Sequence, residues 1–125
     1  MSEIHESSPV LVCAAQETFR DLDPSRNLVD AFESVLEQAL DTGGKKEMVK
    51  LVDSIYVVPS LAAYMPELHE LMPRNPGRQL GARFGIKNFS TFSADMGGSL
   101  PQEFNNRAAD RLAAGESEAA IVIGG

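Results

Sequence analysis

Leu112 to Gly125 reads LAAGESEAAIVIGG, and this stretch decides the fold class. Leu112 to Glu118 closes a helix on Gly115, since a glycine just past the last apolar helical position takes the left-handed conformation that ends helices. Ala119 to Ile123 (AAIVI) is a continuous apolar run with no polar alternation. That is the pattern of a parallel strand covered on both faces. In open α/β sheets the carboxyl ends of such strands are where ligands sit. Gly124-Gly125 stands at that place, so the chain is expected to be part of a larger catalytic unit.

Upstream, the same alternation of helix and strand recurs. Leu100 to Ala114 places Leu100, Phe104, Ala108 and Leu112 at strict i+4 steps, one stripe of a helix. Before it lies the turn Asp95-Met96-Gly97-Gly98-Ser99, and before that Ser90–Ala94 is predicted as a strand. Gly77–Phe84 is a short helix after Pro76, closed by Gly85. Residues 61–75 hold two prolines and no clean period, which predicts a long loop. Val52–Ser60 (VDSIYVVPS) is β-branched and aromatic, a strand stopped at Pro59. From Asn27, the apolar positions Leu28, Phe32, Val35, Leu36, Ala39 and Leu40 fall at helical spacing up to Gly43-Gly44, with Asp23-Pro24-Ser25 as its start signal. Val10–Ala15 (VLVCAA) has the look of a central strand. Residues 1–8 are a disordered lead-in, and 9–125 form the structured part. The resulting order is β-α-β-α-β-α-β. It predicts an α/β fold with a parallel-dominated, four-stranded sheet and helices on both faces.

Composition narrows the function classes. The chain has 125 residues, room for one domain, and its formal net charge is −7. An acidic chain lacks the basic face that nucleic-acid binding needs. No apolar run approaches the ~20 residues of a membrane span, and the polar, acidic start MSEIHESSP is not a signal peptide. The single cysteine, Cys13, excludes an internal disulfide and fits a reducing cytoplasm.

The motifs divide into weak and interesting ones. A dinucleotide fingerprint needs glycines directly after the first strand, and Gln16-Glu17-Thr18-Phe19-Arg20 has none. No phosphate-loop lysine motif is present. The turn containing Met96, Gly97, Gly98 and Ser99 is the best site candidate. It joins a strand to a helix start, where backbone N–H groups can receive an anion or a developing oxyanion. Ser99 stands where a nucleophile could stand. The hydrolase elbow, however, needs a glycine two residues after its serine, and Pro101 is there. The plainer reading is a close-packing glycine turn with Ser99 as helix cap. Gly98 is then expected to need its missing side chain. Cys13, inside the first strand, reads as a buried, inert small hydrophobe. His5 lies in the polar tail. His69 lies in the long loop between Glu67 and Glu70, a weak metal pattern, so no metal is expected. Glu33 and Glu37 read as the solvated face of the first helix.

Four stretches together resemble the N-terminal part of the thiolase-like family, the acetyl-CoA acetyltransferases. They are Asn27–Gly43, Val52–Val58 (VDSIYVV), Asn75–Ile86 (NPGRQLGARFGI) and Asn106–Gly125 (NRAADRLAAGESEAAIVIGG). Gly97–Gln102 (GGSLPQ) is similar to a subgroup with a Gly-Gly…Pro-Gln turn. The resemblance implies acyl transfer to and from coenzyme A, a chemistry of lipid metabolism, with a coenzyme A thioester as substrate and no tightly bound cofactor. It also implies a homo-oligomer or a thiolase-like partner chain. In the family a cysteine at the start of the long helix forms the acyl-enzyme. Counting back from Gly115 puts that position near Gly98, and no cysteine occurs between Met96 and Pro101. The histidine-bearing half and the loop that grips coenzyme A have no counterpart here. The expectation is a segment inactive on its own, or else a non-catalytic subunit beside a thiolase-like partner. In the family the first and fourth strands lie side by side at the sheet centre.

Overall fold

The computed structural model describes residues 8–18, 25–43, 46–60, 64–65, 67, 72–95 and 97–125. Helix α1, Leu28–Gly43, leads through a 3-10 turn, Lys46–Leu51, into strand β1, Val52–Val58. Helix α2 (Pro76–Arg83), strand β2 (Ser90–Phe92), helix α3 (Leu100–Ala113) and strand β3 (Ala119–Gly124) follow. All strand pairs are parallel, in the order β2-β1-β3.

The pleat of β1 divides the core. Ile55 and Val57 face one way and pack with Phe32, Leu36 and Leu40 of α1 and Leu80 of α2. Tyr56 faces the other way, against Leu100, Phe104 and Ala108 of α3. Alternation along one strand therefore builds two apolar layers, as period-two geometry requires. Helices cover both faces, and the predicted α/β architecture is observed.

The helix starts are chemically specified. Asn27 and Asp30 close a reciprocal capping pair: Asp30 N donates to Asn27 Oδ1 at 3.0 Å and Asn27 N to Asp30 Oδ2 at 2.7 Å. The cap of α1 is thus Asn27, not Ser25, while Asp23 and Pro24 lie outside the described residues. An amide oxygen two residues downstream serves the orphan N–H groups directly. Asn75 caps α2 by accepting from Arg78 N at 3.0 Å, with Pro76 in the first turn. Gly85 and Gly115, at φ +70° and +75°, follow α2 and α3 where the sequence places the stops.

The strand expected at Val10–Ala15 does not form. Val10 and Leu11 are 70% and 85% exposed. The segment instead follows α1: Cys13 packs beside Gly43, and Ser34 Oγ donates to Glu17 Oε2 at 2.8 Å. β3 takes the edge of β1 that a central first strand would occupy, and the outer edge of β3 carries no further strand among the described residues. The sheet has three strands among the described residues rather than four, and β3 lies beside β1 rather than beside Val10–Ala15. β2 stops at Phe92, short of Ala94. The 3-10 turn before β1 has no counterpart in the sequence reading.

Candidate functional site

Parallel strands put all their carboxyl ends on one side, and the turn leaving β2 crosses to α3 there. Its far end is anchored: Leu100 is buried with Tyr56, Phe104 and Ala108. Leu100 N donates to Gly97 O at 3.1 Å, and Glu103 N donates to Ser99 O at 3.0 Å. Ser99 has helical backbone angles, φ −88° and ψ −7°, and its hydroxyl does not cap the helix backbone. It donates instead to Glu103 Oε1 at 2.8 Å. Glu103 is well placed there, since a carboxylate in the first turn opposes the helix dipole.

Chemically this is an exposed hydroxyl held by an exposed carboxylate. Both histidines, His5 and His69, lie outside the described residues, as do Met96 and Glu70. Gly97 and Gly98 are exposed. A Cβ at Gly98 would meet nothing within 4 Å, and its φ is not in the left-handed region. The expected steric demand at Gly98 is therefore absent: the turn lies open to solvent rather than pressed against the sheet.

Cys13 is half-buried and outside any strand, which corrects its expected place in the core. Glu33 is not a purely solvated residue either. Its Oε2 accepts from Arg83 Nη1 at 2.7 Å, and the same nitrogen reaches Asp30 Oδ1 at 2.7 Å. One guanidinium thus ties α2 to α1. The Asp30 carboxyl sits below the usual carboxylate range, first because it accepts the Asn27 N–H and then because of Arg83. The Arg83 guanidinium is correspondingly raised by its two carboxylate partners.

At the opposite, amino end of the sheet lies a polar cluster that the sequence reading missed. Asp53 Oδ1 accepts a short hydrogen bond from Ser117 Oγ, and Asp53 Oδ2 accepts from Glu118 N at 2.8 Å. Ser54 Oγ and Ser117 Oγ lie 3.2 Å apart, both residues buried. The carboxylate clasps the segment leading into β3 onto β1, where the ladder register shifts between Val52 and Ser54. Its partners are more than sixty residues away in sequence, so local spacing carries no signal of it. A neighbouring cleft of about 680 Å3 takes in Lys50, Asp53, Lys87 and Glu118. Among the described residues, no group of three or more His, Cys, Asp or Glu could hold a metal ion, and no helix is long and apolar enough to cross a membrane.

Another concave surface among the described residues is mainly apolar. A groove of about 1050 Å3 runs between residues 9–15, α1, α3 and the free edge of β3.

No family model matches this chain, and no curated protein matches it. Among solved structures it is similar to a monomeric SCP2-thiolase like protein type 1 from Mycobacterium smegmatis, with a TM-score of 0.73 and 19% sequence identity. The likeness covers 94% of this chain and 23% of that one. The fold is thus a parallel α/β layer of the thiolase-like kind. This chain spans less than a quarter of the length of the protein it resembles.

Proposed function

We propose that this chain is the N-terminal segment of a thiolase-like acyltransferase of the acetyl-CoA acetyltransferase kind, acting in the cytoplasm on a coenzyme A thioester. The observation that carries the reading is the fold match, which takes in nearly the whole chain but under a quarter of a thiolase-like protein. In this reading the chain has no acyl transfer of its own. The turn before α3 offers a serine held by Glu103 where the resembled family has its cysteine. The rest of the reaction machinery comes from further thiolase-like polypeptide.

A second reading is favoured by the apolar groove along β3. There the chain is a non-catalytic subunit, and a thiolase-like partner or a second copy covers that groove. Purification of the native protein with its partners, followed by intact mass, separates the two. One long polypeptide supports the first, and a short chain with a thiolase-like companion supports the second. A short chain that is a lone monomer overturns both.

The folded chain is then incubated with acetyl-CoA and weighed again. An unchanged mass is expected, because Ser99 meets only the exposed Glu103 carboxylate, with no histidine beside it among the described residues, and Cys13 lies beside Gly43 rather than at the turn. A stoichiometric acetyl adduct on either residue would overturn the inactive-segment reading.

A further inference from the structure

We draw no further inference here: the strongest candidate, the apolar groove of about 1050 Å3 between residues 9–15 and the free edge of β3, is the surface the proposed function already engages, and nothing among the described residues shows what else covers it.

Discussion

Two glycines show how differently one residue type can be used. Gly81 lies buried in α2, and a Cβ there would collide with Phe89 Cζ and Cε2. Phe89 cannot swing away freely, because it packs on the main core cluster and Arg78 stacks over its ring at 4.3 Å. Gly81→Ala gains helix propensity of ~1 kcal/mol but forces the ring out of place. Overpacking of this kind costs ~1–3 kcal/mol, so a net loss of stability is expected in thermal or denaturant unfolding. Gly98 is the control. With open space around it and no left-handed φ, Gly98→Ala is expected to change stability by no more than ~0.5 kcal/mol, as at an ordinary surface site. An equal loss at both positions would contradict the packing described here. The sequence signals these two glycines in reverse. A Gly-Gly pair at a turn looks demanding, whereas a lone helical glycine looks like a mere weak point, and only the position of Phe89 settles which one matters.

At the scale of elements, long-range polar ties hold the helices and strands in place. Asp53 joins β1 to the start of β3, and Asp53→Ala leaves the Ser117 hydroxyl and the Glu118 N–H without that acceptor. Ser117 is buried and keeps Ser54 Oγ at 3.2 Å as a partner, so the expected loss is that of the hydrogen bonds to the carboxylate, ~1–3 kcal/mol. Asp53→Asn keeps one acceptor oxygen and should lose less. Equal denaturation midpoints for wild type and Asp53→Ala would dismiss the clasp. The α1–α2 tie responds to pH instead. Asp30 has a native pKa below its unfolded value, so its contribution is fully present above about pH 4 and lost as pH falls through the native value. Asp30→Asn is therefore expected to flatten the acid side of the stability curve below about pH 4, while its amide oxygen still offers an acceptor to Asn27 N at all pH values. An unchanged acid limb would refute this assignment.

Much of this level was legible in the sequence. The i+4 stripe of α3, the glycine stops and the β-branched run of β1 all follow from local patterning, which neighbours do not override. Val10–Ala15 departs from its sequence pattern for a definite reason. An apolar run states that a segment can be buried in a sheet, but not which strand takes the place beside β1, and here β3 holds that place. The Asp53 clasp escaped because its partners are distant, and the Glu33 tie because a carboxylate on an exposed helix stripe gives no hint of an arginine on another helix.

For the molecule as a whole, Val10 and Leu11 are exposed, and β3 ends the sheet among the described residues. Unpaired edges and apolar patches recruit further chains. Sedimentation at micromolar concentration is expected to show species larger than monomer. Leu11→Glu should shift the population towards monomer with little change in melting temperature, because Leu11 is 85% exposed and contributes little to the fold. A wild-type chain that sediments as a single monomer would refute the prediction. The strand order β2-β1-β3 carries a consequence for time as well as for space. Asp53 and Glu118 meet across 65 residues of chain, and β1 finds β2 only through three residue pairs. The longest ladder in the sheet thus joins the segments that are synthesised furthest apart. Closing so wide a loop is entropically slow. During translation, β1 must wait with one edge bare until the β3 segment leaves the ribosome.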